Sequence, residues 1–333
     1  MRVRKSLETL NSLSSTQSLR RTFHSRFPGW LFSKIRWKLN EWKDRRLRLL
    51  NLLGIRLTVI DGFGALGDTL LTATVIRNHK ERHSRLRINC ITPNPDLLRI
   101  DPNIESLNEP ETYFSVMSWY IDLRTARNGS KNVLAPTLER LGIQDFQYEA
   151  EIHLSSEERA VANNLMQGLK HPLVSINCQS KEAVKNWPVD YWRELVAGLA
   201  ETCSIVQLGS DTEPLLEGVA LRLAGKLSPR ESLAALSHCS LHVGPDSFLI
   251  HGANGLKVPC VVIFGGSRTP ANLGYEGNTN LTTSPSCSPC WIHQGDGQTC
   301  DQDLRCLRDI GVELVLEAIL ERLKINRSHL SAS

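Results

Sequence analysis

Asp68 follows three glycines, Gly62, Gly64 and Gly67, at the end of an apolar run and the start of a helix-like segment, "VIDGFGALGDTLLTA" (59–73). The spacing is G-x-G-x-x-G, which between a strand and a helix reads as a dinucleotide-binding turn. Two requirements of such a turn are missing. A helix N-terminus that faces a pyrophosphate must be free of negative charge, yet Asp68 lies in its first turn. The acid that would hold the ribose hydroxyls, about 20 residues on at the end of the second strand, is absent from "INCITPN" (88–94). The stretch reads instead as a device that presents a carboxylate. Glycines permit a tight turn and close approach of a ligand. A base at that edge of a sheet can take a proton from a hydroxyl as its oxygen attacks. The plainer alternative is an acid that only favours the helix dipole.

Three further stretches could bind an anion. "SKEAVKNWPVDYW" (180–192) puts Lys185 at the end of a strand-to-helix loop, where it either neutralises phosphate or is a solvated lysine. "HVGPDSFLIHGANGL" (242–256) puts Asp246 and Ser247 at a helix start, whose first N–H groups form a diphosphate cradle. His251 lies about one turn in, as a ligand contact or a packed histidine. "FGGSRTP" (264–270) is a glycine-rich loop from which Arg268 can reach phosphate.

A different chemistry is offered by Cys287, Cys290, Cys300 and Cys306, spaced C-x2-C-x9-C-x5-C. The segment between them is polar and has little to pack. Four thiolates round one tetrahedral ion would staple it. The competing reading is unbound surface thiols, and the spacing does not separate zinc from iron. The other five cysteines, Cys90, Cys178, Cys203, Cys239 and Cys260, lie in or beside apolar runs and read as small buried hydrophobes.

The elements that must position these groups alternate. "RLTVID", "RLRINCI" and "SWYIDL" read as strands, with helices at "GDTLLTATVIRNHK" and "VLAPTLERLG". From residue 172, "PLVSIN", "SIVQLG", "LHVG" and "PCVVIFG" are strands and "DYWRELVAGLA", "PRESLAALSHC" and "SFLIHGANGL" helices. Ser228, Pro229 and Glu231 predict a capping box with proline at the first helical position. Such alternation means parallel sheets with helices on both faces. The expected division is a basic arm (1–56), one Rossmann-like domain (57–150) and a second (151–333) that includes the cysteine-rich segment 285–308. The ligand cleft is expected between the two sheets.

Bulk composition narrows the partners. The chain has 333 residues, 41% hydrophobic and 22% charged, with net charge +4. Residues 1–56 hold 14 Lys/Arg against 3 Asp/Glu, and the rest 25 against 32. A mildly acidic body argues against nucleic acid, and a basic arm argues for an anionic partner. Within residues 28–53, Trp30, Leu31, Ile35, Leu39, Trp42 and Leu49 recur at helical spacing among lysines and arginines. That pattern suits an anionic membrane interface; a helix packed on the protein's own surface would look the same. No apolar run is long enough to span a membrane, and no signal peptide is expected. The Ser/Arg-rich first 25 residues also admit a transit peptide.

Together "GALGDTLLTATVIR", "KNWPVDYWRELV" with "VQLGS", and "GKLSPRESLAALSHCSLHVGPDSFLIHGANGLKVPCVVIFG", followed by the cysteines, resemble glycosyltransferase family 9, the ADP-heptose:lipopolysaccharide heptosyltransferase type. The resemblance covers roughly 57–323. It implies a GT-B fold, two Rossmann-like domains with parallel sheets facing a central cleft. It implies inverting transfer of a sugar, heptose from ADP-heptose, to a lipopolysaccharide or other glycan, without a catalytic metal. Asp68 would be the base. Lys185, Asp246, Ser247, His251 and Arg268 would meet the donor. The place implied is the cytoplasm, peripheral at the inner membrane. A subgroup that modifies protein acceptors carries cysteine-bound iron. A donor-binding scaffold without catalysis is the alternative of another class, because Phe248 stands where the family has glycine.

Overall fold

The run RLTVID forms β1 (Arg56–Asp61), whose middle residues are buried. A computed structural model describes residues 49–330 apart from 50, 51, 55, 112, 113 and 294–296. The basic arm therefore lies outside the described residues, save for a few positions at its end. Strands β1, β2 (Arg87–Ile91), β3 (Ser106–Leu107) and β4 (Ser115–Ser118) make a parallel sheet in the order β3-β2-β1-β4. Helix α1 (Leu66–Arg82) joins β1 to β2, and all its residues from Thr69 to His79 are buried. It shows no one-sided pattern because it packs on β1 and also on a helix of the second half.

The expected strand "SWYIDL" is corrected. The β1–β4 ladder ends at Asp61↔Ser118. Beyond Asp61 the glycine turn leaves the sheet, so the residues after Ser118 have no strand to pair with. Thr137 Oγ1 takes the Trp119 N–H at 2.9 Å, and the chain enters α2 (Ile121–Thr125). Helix α3 (Ala135–Arg140) and α4 (Ser156–Met166) follow.

The second sheet holds β5 (Leu173–Ile176), β6 (Ser204–Gln207), β7 (Leu221–Arg222), β8 (Leu241–Pro245), β9 (Cys260–Ile263) and β10 (Thr279–Leu281). Its order is β10-β9-β8-β5-β6-β7, all parallel. Strands β5, β6, β8 and β9 are buried along their whole length, as a sheet covered on both faces requires. Helix α5 (Val189–Leu199) buries Trp192, Leu195, Val196 and Leu199. Helix α6 (Pro229–Leu236) carries the capping box of Ser228 and Glu231 that the sequence predicts. Helix α7 (Phe248–Gly255) is the partner of α1. After α8 (Pro270–Leu273) and α9 (Arg305–Arg308), α10 (Val312–Leu330) closes the fold.

Both sheets reverse strand order beside their first strand, between β1 and β4 and between β5 and β8. Parallel α/β sheets bind ligands at the carboxyl ends of strands at such points. The segments that leave those ends carry Asp68, in the first turn of α1, and Tyr120 in one half, and Lys185 and Asp246 in the other.

Candidate functional site

The turn after β1 is built on a residue that motif reading overlooks. Asp61, buried at the strand end, accepts from the Gly64 N–H (2.9 Å), from Thr69 Oγ1 (2.6 Å) and from Thr92 Oγ1 (2.9 Å). Gly64 has φ +74°, where a side chain would be strained. The other two glycines serve close approach. A β-carbon on Gly62 would lie 2.6 Å from Ser118 O, and one on Gly67 would lie 3.1 Å from His251 Cδ2. Gly67 thus lets α1 approach α7. The three glycines shape the turn around Asp61 and the helix contact; none of these contacts calls for a phosphate.

Asp68 sits in the first turn of α1. Tyr120 donates a hydrogen bond to its Oδ1 at 2.8 Å. Burial pushes the Asp68 carboxyl up to about 6, and the nearby Asp61 and Asp246 charges act in the same direction. The Tyr120 bond and Lys185 oppose the rise. Such a value suits a group that must accept a proton near neutral pH.

In the second half, Lys185 Nζ donates to Asp246 Oδ2 at 2.6 Å and to Asp246 O at 3.3 Å. Lys185 ends a 3-10 turn, Ala183–Lys185, held in place behind it by Trp187, whose Nε1 donates to Ile310 O at 2.9 Å. Burial alone would raise the Asp246 carboxyl. The opposite charges of Lys185 and Arg268 and the partnered Lys185 bond outweigh it and hold it below the usual range. His251 Nδ1 lies 2.8 Å from Tyr275 Oη. Burial lowers its imidazole to about 4, so it is neutral at pH 7. Tyr275 stacks on Tyr148 at 4.4 Å between ring centroids.

Ser247 precedes α7 without a side-chain capping bond, so its hydroxyl does not occupy the helix N-terminus. Phe248 is the first helical residue, half-buried. The charges of Lys185 and Asp246 thus act on Asp68, and that of Arg268 on Asp246. Arg268 itself is buried, donates to Ser267 O at 3.3 Å and lies over the Trp291 ring at 4.4 Å.

The four cysteines line one small cavity, shared with Val184, Gly266 and Ser267. Burial raises the Cys290 and Cys306 thiols, and the neighbouring cysteines add to the rise. The set thus fits a thiolate-binding ion in kind. It is not closed in geometry: among the described residues, no group of three or more His, Cys, Asp or Glu is placed to hold a metal. Cys290 N donates to Gly266 O and Trp291 N to Ser267 O, both at 3.0 Å. The segment docks on the loop that carries Arg268.

Comparison with known proteins bears on this arrangement. Residues 130–294 match the family model for Glycosyltransferase family 9 (heptosyltransferase). That stretch, just under half of the chain, is similar to glycosyltransferase family 9. The chain is 35% identical over 122 residues to lipopolysaccharide heptosyltransferase 1 of Pseudomonas aeruginosa. That match spans 32% of the chain and 32% of the relative, about a third of its length. Among solved structures, a family 9 glycosyl transferase from Veillonella parvula aligns with TM-score 0.66 at 18% identity, over 80% of this chain and 97% of that one. The iron-containing dodecameric glycosyltransferase TibC of enterotoxigenic E. coli aligns with TM-score 0.64 at 20% identity, over 81% and 76%. The E. coli ADP-heptose lps heptosyltransferase II aligns with TM-score 0.58 at 17% identity, over 82% and 99%. These structural likenesses establish the two-sheet GT-B fold of the chain.

Proposed function

We propose that this chain is an inverting glycosyltransferase that moves a sugar, heptose from ADP-heptose, to a hydroxyl of a lipopolysaccharide or other glycan. The observation that carries the reading is the convergence of a half-buried carboxylate, Asp68, with the charges of the Lys185–Asp246 pair from the other half. The acceptor oxygen attacks the anomeric carbon while its proton passes to Asp68. The bond from that carbon to the diphosphate breaks, and the electron pair leaves on the phosphate oxygen. Lys185, the N–H groups at the start of α7 and Arg268 stabilise the charge that develops there. Two of the three Lys185 donor positions are engaged by Asp246, and the third serves phosphate. Neutral His251, held by Tyr275, and Ser247 line the donor side. A protein hydroxyl would serve the same base as acceptor. The reading assigns the acceptor to residues 57–150 and the nucleotide sugar to 151–333.

Lys185→Ala tests the donor side. It should weaken ADP and the nucleotide sugar together by about 1.5–3 kcal/mol, the range of a charge-assisted hydrogen bond. Calorimetric titration with ADP measures it. Unchanged affinity would leave Lys185 as a partner of Asp246 alone.

The cysteine cavity, by its donor chemistry, would hold a structural zinc or iron through Cys287, Cys290, Cys300 and Cys306, and the ion would supply rigidity rather than reactivity. About one ion per chain is expected after purification under reducing conditions, with visible absorbance for ferric tetrathiolate and none for zinc. Cys290→Ser should lose it. Metal-free wild type would reject the site.

The arm over 28–53 is assigned to an anionic membrane surface, peripheral at the inner membrane on its cytoplasmic side. Support comes from its last residues, where Leu49, Leu52 and Leu53 are exposed by more than half. No helix among the described residues is long and apolar enough to cross a membrane.

A further inference from the structure

We infer that Trp291 is a positioning residue for donor binding: its indole face orients the Arg268 guanidinium toward the diphosphate. The inference rests on the donor-site reading above.

Trp291 is held at a conformational cost. Its φ is +52°, in the left-handed region that a bulky side chain rarely enters. It is 2% exposed, and its Nε1 has no hydrogen-bond partner among the described residues. Strain of this kind persists where surrounding structure over-determines it, and it clusters at functional sites. The contacts that over-determine it lead to one place. Its N–H donates to Ser267 O at 3.0 Å, and the preceding Cys290 N–H donates to Gly266 O at 3.0 Å. These two bonds lay the segment along the donor loop. The Trp291 ring then meets the guanidinium carbon of Arg268 at 4.4 Å from its centroid.

Arg268 needs such a support. It is 8% exposed, and its charge acts on Asp246 and Tyr120. No salt bridge to a carboxylate holds it among the described residues, and its one side-chain bond reaches the carbonyl of its own neighbour. An aromatic face attracts a cation without consuming its N–H donors, so the ring fixes the guanidinium plane and leaves the donor edge for an anion. A carboxylate in the same position would neutralise it.

Titration of the full chain with ADP tests this. Trp291→Leu should weaken ADP about 3- to 30-fold, the equivalent of a desolvated cation–π contact. Trp291→Phe, which keeps an aromatic face, should restore most of the affinity. In combination with Arg268→Ala, Trp291→Leu should add nothing further, because the ring acts only through the guanidinium. Unchanged ADP affinity in Trp291→Leu, or effects that simply add, would overturn the assignment. Should that variant not fold, the Arg268 Hε resonance of the wild type, assigned through Arg268→Lys, decides. An upfield ring-current shift supports the stacking, and an ordinary position overturns it. A wild type that binds no ADP defeats the donor-site reading and this inference together; a wild type that binds ADP beside an indifferent Trp291→Leu defeats the inference alone.

Discussion

Asp68→Asn should lower sugar transfer by about 10²- to 10⁴-fold, the range of a positioned general base, and leave ADP affinity nearly unchanged. The amide keeps the shape of the carboxyl and can still meet the Tyr120 hydroxyl, but it cannot accept the acceptor's proton. The wild type should also show a pH signature. A base works in its deprotonated form, and burial places the Asp68 carboxyl at about 6. Transfer should therefore rise with pH through about 6 and level above it. Tyr120 lowers that value by bonding the carboxylate, so Tyr120→Phe should move the rise to higher pH. Wild-type turnover in Asp68→Asn would exclude the base assignment.

The second large effect is expected at the seam between the two halves. Arg230, 6% exposed on α6, donates to both carboxylate oxygens of Glu158 (2.6 Å from its Nη2), to Leu97 O at 2.9 Å and to His153 O at 2.7 Å. It thereby ties α6 to the first half and to the segment between the halves. Glu158 has a second task, accepting from Ser155 N at 2.8 Å in the cap of α4. Arg230→Met leaves a half-buried carboxylate with Arg99 and the Ser155 N–H still beside it. Losing the bonds to its main partner costs about 1.5–3 kcal/mol of unfolding free energy, measurable by urea titration. Replacing both partners, Arg230→Met with Glu158→Leu, should recover much of it, because no charge is then left unpaired. The Arg230 bond, opposed by burial and helped by Ser155 and Arg99, holds the Glu158 carboxyl down at about 2. A depressed carboxyl stabilises the fold above its ordinary value near 4.5. That contribution should fade as pH falls toward 2 and vanish in the double variant. A single variant as stable as wild type would show the pair to be dispensable.

Much of this architecture is legible in the residues. Alternating apolar runs and the Ser228–Glu231 cap announce β5, β6, β8 and β9 and the helices among them, because β-branched runs buried on both faces carry a strong local signal. Asp68, Lys185 and Asp246 are legible for the same reason: each follows a readable strand. What escapes are partners distant in the chain. Tyr120 lies 52 residues from Asp68, in a stretch whose pattern continues a strand that the sheet has already ended. Asp61 reads as an ordinary strand terminus until Thr69 and Thr92 converge on it. The place of the cysteine segment is not legible either. Its docking on Gly266 and Ser267 rests on backbone bonds, which leave no mark in residue type, and the left-handed Trp291 is a position where sequence favours glycine.

Hydrogen exchange of the full chain with and without ADP tests the central claim most directly, since it locates the nucleotide without knowledge of the acceptor. Slower exchange is expected on ADP binding in three stretches, 182–187, 246–250 and 264–268, which come from the carboxyl ends of β5, β8 and β9. No change is expected in the cavity of about 630 Å³ lined by Pro93, Arg99, Val161 and Arg230, which lies between α4, α6 and the loop after β2. Protection confined to that cavity, or none at the three stretches under saturating ADP, would contradict the account.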